Sequence, residues 1–285
     1  MGWKKRPLPI SASAGTANQH GAPTDRTERK RHRSSSEVIN AYHTIEKQMA
    51  TTADGHELER LKGQQAALGG LTRYQNASLQ GAALKRGGDA GKWLIQALKA
   101  DLLGKLALPV EPGQRLKVLD VGAIDGTAYQ AYTSWMETTY IDLNPRAAHV
   151  QQCDFLEYMP KAGANALDVV CLSLVLNFVG TPERRGQMLL HAHKLLKTNG
   201  YLYVVLPLPC MTNSRYMHHE RFRALLVALR CRVCRQHDSP RLSYWLLQKT
   251  EDHVAAVHLP KTLLVDGSQK NNFTIVLKNT ASCVH

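Results

Sequence analysis

The chain has 285 residues, a formal net charge of +13, 44 % hydrophobic residues and six cysteines, a size that fits one or two domains with a substantial core. No run approaches the ~20 apolar residues of a membrane span, and no apolar stretch follows the basic first residues as a secretory signal would require. Six cysteines in so long a chain are too sparse for a disulfide scaffold, which points to a reducing compartment.

The charge is unevenly spread. Residues 111–183 hold 4 Lys/Arg against 9 Asp/Glu, whereas residues 184–241 hold 11 against 2. Such a basic block suits a polyanion, most often nucleic acid. It suits equally a solvated surface that keeps the protein soluble.

Residues 1–35 are rich in Ser, Ala, Gly, Thr and basic side chains and almost free of large apolar ones. They cannot bury enough surface to offset the entropy of ordering, so a disordered basic tail is expected. The cluster Arg29-Lys30-Arg31-His32-Arg33 inside it suits a nuclear address, phosphate contacts or an inert charged tail. Residues 36–110 read as an N-terminal helical region. Val38, Ile39, Tyr42, Ile45 and Met49 recur at three- and four-residue steps, which places them on one helix face. Gly69-Gly70 breaks that pattern, residues 71–84 suit a second helix, and Arg86-Gly87-Gly88-Asp89 reads as a turn. Residues 92–106 carry Trp93, Leu94, Ala97, Leu98, Leu102 and Leu106 at helical spacing, with Asp89 as a cap.

From Arg115 strands alternate with helices, which defines a third region, 111–285, as an α/β domain with a doubly wound sheet. Strands are expected at 116–122 and 139–143, within the apolar run 167–178, and at 201–208. The segments 242–248 and 273–277 suit a final strand pair. A helix is expected from Thr181, its N-cap before Pro182, to Leu196, with Asn199-Gly200 as its stop. Another is expected at 222–229.

In such sheets ligands bind beyond the carboxyl ends of the strands, where the winding reverses. The first strand ends Asp120-Val121-Gly122-Ala123-Ile124-Asp125-Gly126. Two glycines permit a tight turn and close approach of backbone to ligand. Asp142, twenty residues after Gly122, can take ribose hydroxyls, and Asp154, near the end of a third strand, can take an adenine amino group. A dinucleotide would need a third glycine for its pyrophosphate, which Asp120 and Asp125 would repel. S-adenosylmethionine carries a sulfonium and an ammonium and no phosphate, so acidic residues favour it. The expected cofactor set is Gly122, Asp120, Asp142, Asp154 and Ser173, the last near the end of the fourth strand. A purely structural βα turn is the competing reading.

The fourth strand leads into Leu174-Val175-Leu176-Asn177-Phe178-Val179, and the fifth into Pro207-Leu208-Pro209-Cys210. Asn177 offers an amide and Phe178 a stacking face, the residue types a site acting on an extruded base needs. The same two residues would serve as a loop cap and a core filler. Arg215, Arg221, Arg223 and Arg230 lie in the basic block and are candidate RNA phosphate contacts. Cys231 and Cys234 form a CxxC with no second pair to complete four ligands, so no metal is expected.

The runs Leu172-Ser173-Leu174-Val175-Leu176-Asn177-Phe178-Val179, Leu206-Pro207-Leu208-Pro209-Cys210 and Thr212-Asn213-Ser214-Arg215-Tyr216-Met217 resemble the fungal 25S rRNA adenine-N1 methyltransferase family. Tyr74-Gln75-x-Ala77-Ser78, Arg86-Gly87-Gly88-Asp89, Tyr140-Ile141-Asp142-Leu143 and Gln152-x-Asp154-Phe155 are similar to it as well, so the resemblance spans roughly residues 36–250. It implies a Rossmann-like class I methyltransferase fold, S-adenosylmethionine as donor, large-subunit ribosomal RNA as partner, and work in the nucleus, at the nucleolus. Gly122 and Asp142 fall where that family holds its cofactor. The turn Ala123-Ile124-Asp125-Gly126 departs from the family pattern by its second glycine. The expected reaction is attack of neutral adenine N1 on a sulfonium methyl, with Asn177 at the base edge and Phe178 or Tyr216 stacking. The alternative is a non-catalytic S-adenosylmethionine sensor acting through protein partners, the role ascribed to animal relatives.

Overall fold

Helix α1 (Ser35–Thr51) begins at a capping box. The Ser34 hydroxyl accepts from the Glu37 N–H, and the Glu37 carboxylate accepts from the Ser34 N–H, which satisfies two donors that the first turn leaves open. The computed structural model describes residues 34–83, 90–102 and 113–279. The tail as far as residue 33, with its basic cluster, lies outside the described residues, as do Arg86-Gly87-Gly88-Asp89 and residues 103–112.

Helix α2 (Gly55–Ala67) is capped by Asp54, and α3 (Gly70–Ala83) starts at Gly70, which like Gly69 before it has positive φ. Tyr42, Ile45, Leu61 and Leu68 form a small apolar cluster of their own, with Met49, Leu71 and Tyr74 packed against it. Helix α4 (Ala90–Leu102) has a different destination. Its Leu94, Ile95, Ala97 and Leu98 are buried among Leu116, Val118, Val169, Tyr203 and Leu246 of the sheet. Trp93 stacks on Tyr203 and Tyr244, and the Tyr203 hydroxyl donates to the Ala90 carbonyl at 2.7 Å. Each Leu so covered contributes roughly 1.5–3 kcal/mol. The helical region thus does not end as a separate unit, because its last helix is one layer of the sheet domain.

The sheet has seven strands in the order β3-β2-β1-β4-β5-β7-β6. They are β1 (Leu116–Val121), β2 (Met136–Asp142), β3 (Gln151–Gln152), β4 (Leu167–Ser173), β5 (Leu196–Pro207), β6 (Cys231–Asp238) and β7 (Leu242–Lys249). Strands β1, β2, β3, β4 and β5 pair in parallel, and β7 runs antiparallel to both β5 and β6. Burial on both faces explains why β4, β5 and β7 read as continuous apolar runs. One face is covered by α5 (Pro182–Leu195) and, after the one-turn helix α6 (Pro209–Thr212), by α7 (His219–Ala228), through Met188, Leu189, Phe222 and Leu225. The other is covered by α4. A single 3-10 turn, Gln130–Tyr132, stands in the β1–β2 connection, and no helix joins β2 to β3 or β3 to β4. The N-terminal α4 therefore supplies cover that crossover helices would otherwise give. No helix among the described residues is long and apolar enough to cross a membrane.

Two sequence expectations are corrected. Asn199-Gly200 does not stop the helix. Helix α5 ends at Leu195, capped at Leu196, and Asn199, with φ 66°, lies inside β5 where the pairing with β4 slips register. Leu195 and Leu196 are both fully buried, so the chain turns from helix to strand where the core demands it. Residues 242–248 fall in β7 as expected, but its partner strand at the edge of the sheet is β6, not residues 273–277. Phe273, Ile275 and Leu277 pack instead on the helical side, and the Val276 N–H donates to the Pro182 carbonyl. Gly186 makes that contact possible, since a Cβ there would lie 1.9 Å from the Val276 oxygen. A short ribbon of β8 (Val257–Leu259) and β9 (Leu277–Asn279) ends the fold.

Candidate cofactor and base site

The winding reverses between β1 and β4, the two strands whose carboxyl ends frame the crevice. β1 delivers Asp120 and the turn after it. Gly122 has φ 76°, and its N–H and that of Ala123 both donate to the Ile141 carbonyl, at 2.9 and 3.1 Å. A Cβ at Gly122 would meet Val175 Cγ2 at 3.1 Å, besides being strained by the positive φ. At Gly126 (φ 61°) a Cβ would fall 2.5 Å from His149 Nε2. Asp120 is buried, and burial together with the neighbouring Asp125 carboxylate pushes its pKa up to about 7. No hydrogen bond from the described residues offsets this. A cation placed in the turn would.

Asp142, the last residue of β2, accepts the Asn144 N–H on Oδ1 at 2.7 Å, while burial raises its pKa. Asp154 is differently placed. Its Oδ1 accepts the Leu156 N–H at 3.0 Å and its Oδ2 is paired with Arg184 at 2.5 Å, so both oxygens already have partners. Ser173 closes β4 half-buried.

Beyond Ser173 the chain turns through Leu174, held at φ 57° while its N–H donates to the Val205 carbonyl at 2.9 Å. A left-handed Leu is uncommon and costs about 1–2 kcal/mol, so the loop shape is imposed by its surroundings. Asn177 follows, 6 % exposed, with Oδ1 buried and unpartnered. A buried acceptor in this state costs about 1–3 kcal/mol and marks a place where a donor is missing. Phe178 meets Tyr74 of α3 edge to face at 6.1 Å, and Tyr74 stacks on Tyr42 at 4.6 Å.

Residues from distant parts of the chain brace this loop. Arg185, on α5, is 3 % exposed and donates to the Val179 carbonyl through Nε and Nη2 (3.0 and 2.8 Å) and to the Thr274 carbonyl through Nη1 (2.6 Å). Burial lowers its pKa to about 10. On the other side Arg146 donates to Gln75 Oε1, Asn76 Oδ1 and the Thr72 carbonyl of α3, and Gln75 donates to the Asn144 carbonyl at 2.6 Å. Helix α3 is thereby fixed to the loop after Asp142. Sequence reasoning gave Gln75, Arg146 and Arg185 no role. Gln75 stood in a quoted motif, and Arg146 is one of only four basic residues in the acidic block.

The four arginines expected at RNA separate into two places. Arg215 donates to the Gly267 carbonyl and to Asn272 Oδ1, and Arg221 to the Pro260 carbonyl and Thr262. Both fasten the segment 260–272 to the body of the protein. Arg223 and Arg230 line a groove beside β6 instead. The face of Tyr216 is covered by Lys261, 4.2 Å from the ring centre. Cys231 and Cys234 lie on β6, and burial pushes the Cys231 thiol up to about 12. No group of three potential metal ligands occurs among the described residues.

A seven-stranded sheet of this order, with one antiparallel strand, a glycine turn after β1 and a carboxylate ending β2, is the class I methyltransferase architecture. The sequence model of the family described as 25S rRNA (adenine(2142)-N(1))-methyltransferase, Bmt2, matches residues 59–275, and the chain belongs to that family. The 25S rRNA adenine-N(1) methyltransferase of Schizosaccharomyces pombe is 29 % identical over 279 residues, covering 95 % of this chain and 98 % of its own length. The 25S rRNA (adenine(2142)-N(1))-methyltransferase of Saccharomyces cerevisiae is 32 % identical over 213 residues, 74 % of this chain, and the match spans 60 % of that relative's length. Among solved structures, 1,6-didemethyltoxoflavin-N1-methyltransferase of Burkholderia thailandensis aligns with TM-score 0.45 and 16 % identity, over 62 % of this chain and 87 % of that one. The N-methyltransferase NodS of Bradyrhizobium japonicum aligns with TM-score 0.41 and 15 % identity, over 59 % and 99 %.

Proposed function

We propose that this protein transfers a methyl group from S-adenosylmethionine to N1 of an adenine in large-subunit ribosomal RNA, as the names of its relatives describe for them. The observation that carries the reading is the unpartnered Oδ1 of Asn177, buried in the loop that leaves β4 beside the Gly122 turn. Asp120 supports it, being a buried carboxylate with an adjacent like charge and no donor among the described residues, which a cationic ligand would relieve.

When bound, S-adenosylmethionine supplies a methyl carbon on a sulfonium, open to displacement by a lone pair. The residues present fit it. Gly122 leaves the backbone open to close approach, Asp142 takes ribose hydroxyls, and the ionised Asp120 balances the cationic end. Asn177 Oδ1 accepts a hydrogen from the N6 amino group of the target adenine. That bond leaves N1 with its free lone pair, so no general base is needed. It also places a carbonyl dipole beside the positive charge that the base acquires. Guanine presents O6 at this position and is rejected, since two acceptors would face each other. Phe178 stacks on the base. In a duplex the N1 edge is occupied, so the adenine is extruded or already unpaired. Catalysis then rests on alignment and exclusion of water. Work on pre-ribosomal RNA places the protein in the nucleolus.

The test incubates purified protein with labelled S-adenosylmethionine and large-subunit rRNA lacking the modification, and maps N1-methyladenine as a block to reverse transcription. The wild type labels one adenine. Asn177→Ala keeps donor affinity within about twofold and loses at least 100-fold in methyl transfer, the loss expected of a group acting on the transition state. Transfer by the variant at the wild-type rate would remove Asn177 from the mechanism. An absence of label in rRNA from the wild type would remove the function.

A further inference from the structure

The groove beside β6 has properties that the crevice does not explain. It is an open, shallow groove of about 410 Å³, lined by Arg223 and Val227 of α7, Arg230 just before β6, Arg232 and Val233 within β6, and Glu251 after β7. Three arginines and one carboxylate border this edge of the sheet, Arg223 on the face that carries Trp245 and Arg232 on the face that carries Gln248. Arg232 donates to Gln248 Oε1 and Arg223 to Gln236 Oε1, and Arg223 also lies 5.4 Å from the ring centre of Trp245. These partners are neutral, so they orient the guanidiniums without cancelling their charge. Only Arg230 has an acidic neighbour, Glu251 at 3.7 Å, and both side chains are about half exposed, where an ion pair is weak. The Arg230 backbone is fixed at φ 56°, its carbonyl accepting from the N–H and the hydroxyl of Thr250. Val227 beside it is 69 % exposed.

The place of the groove follows from the strand register. Arg232 pairs with Gln248, Gln248 with Tyr201, Tyr201 with Val169 and Val169 with Val118. The groove is thus level with the start of β1, at the end of the sheet away from Gly122, and four strand spacings across. With ~4.8 Å between strands and ~3.3 Å per residue along them, the separation from Gly122 is roughly 20–25 Å. One nucleotide cannot occupy both places.

We propose that Arg223, Arg230 and Arg232 form a remote docking site for the sugar–phosphate backbone of RNA flanking the target adenine. The proposal rests on RNA being the substrate of the crevice. Guanidiniums held by neutral partners, as in Arg223 and Arg232, or only weakly paired at the surface, as in Arg230, suit phosphate oxygens, which they bind bidentately without reading sequence. The site makes affinity depend on RNA long enough to span the two places.

The experiment measures binding of the full chain to two RNAs over 50–200 mM salt. One is a structured large-subunit fragment of some 60 nucleotides, and the other is a seven-nucleotide single strand with the same central adenine. The triple variant Arg223→Gln, Arg230→Gln, Arg232→Gln should weaken binding of the long RNA at least tenfold and lower its log–log salt slope by about 2–3. Binding of the short strand should change less than twofold. The corresponding triple lysine variant, which keeps the charge, should restore most of the slope. Donor affinity and melting temperature report whether the variants are folded. An unchanged long-RNA affinity and slope in a folded glutamine variant overturns the proposal, as does an equal loss on both RNAs. Should the wild type dock long RNA through these arginines yet transfer no methyl group to it, the groove stands and the assignment of the reaction falls.

Discussion

Asp120→Asn separates the stability of this protein from its capacity to hold a cation. Folding raises the Asp120 pKa from 3.8 to about 7. An acid with a raised folded pKa contributes stability that is complete below its unfolded value and is lost as pH rises through the folded one. A shift of about three units corresponds to a cost on the order of 4 kcal/mol for the ionised, ligand-free protein, and about 2 kcal/mol of this is incurred between pH 5.5 and pH 8. Asparagine removes the charge but keeps a buried polar group, which itself costs about 1–3 kcal/mol if unpaired. The variant without ligand should therefore melt several °C above the wild type at pH 8 and show no gain at pH 5.5. Binding of the donor should change in the opposite sense. If a cationic ligand requires ionised Asp120, wild-type affinity falls about 25-fold from pH 7.5 to pH 5.5, while the variant binds weakly at both. Thermal melts across this range and calorimetric titration with S-adenosylmethionine measure the two effects. A variant no more stable at pH 8, with a wild-type affinity flat over the same interval, would refute the reasoning.

Gly122→Ala should abolish donor binding in titration calorimetry and lower stability by about 1–2 kcal/mol, because φ is positive and the Cβ would press on Val175. Arg146→Met removes the three bonds to α3. Hydrogen exchange should speed up in α3 with little change in the sheet, and donor affinity should fall as the loop after Asp142 loosens; unchanged exchange would show that the apolar contacts of α3 suffice. Arg185→Met leaves the Val179 and Thr274 carbonyls unpaired. Methyl transfer should fall at least tenfold while donor affinity is retained, and amide exchange across residues 174–180 should rise; loss of both activities together would mean that the variant fails to fold.

The reliable signals in the sequence were those of local periodicity and of the sheet's interior. β4, β5 and β7 are buried on both faces, so their apolar runs announced strands whatever their neighbours, and the glycine turn and Asp142 were legible as the ends of the first two strands. Helix α5 was legible from its Thr181 cap and Pro182, and it ends at Leu195, one residue before the end expected; what the sequence did not show is that β5 starts at once at Leu196, so that Asn199-Gly200 lies inside a strand. β6 escaped detection because an edge strand needs only one apolar face, and its register slips between Val233 and Arg235. Residues 273–277 looked like a strand and became a wall of helix α5, since an apolar pattern states that a segment is buried and not against what. The same limit governs the arginines. Composition counts a positive charge but does not say whether it meets a carbonyl, a carboxylate or solvent. Arg185 and Arg215 hold backbone oxygens 52 to 89 residues away, and Arg146 joins its loop to helix α3, about 70 residues earlier in the chain. Periodicity is a property of neighbours in the chain. Which donor finds which acceptor was decided only when the fold brought them together.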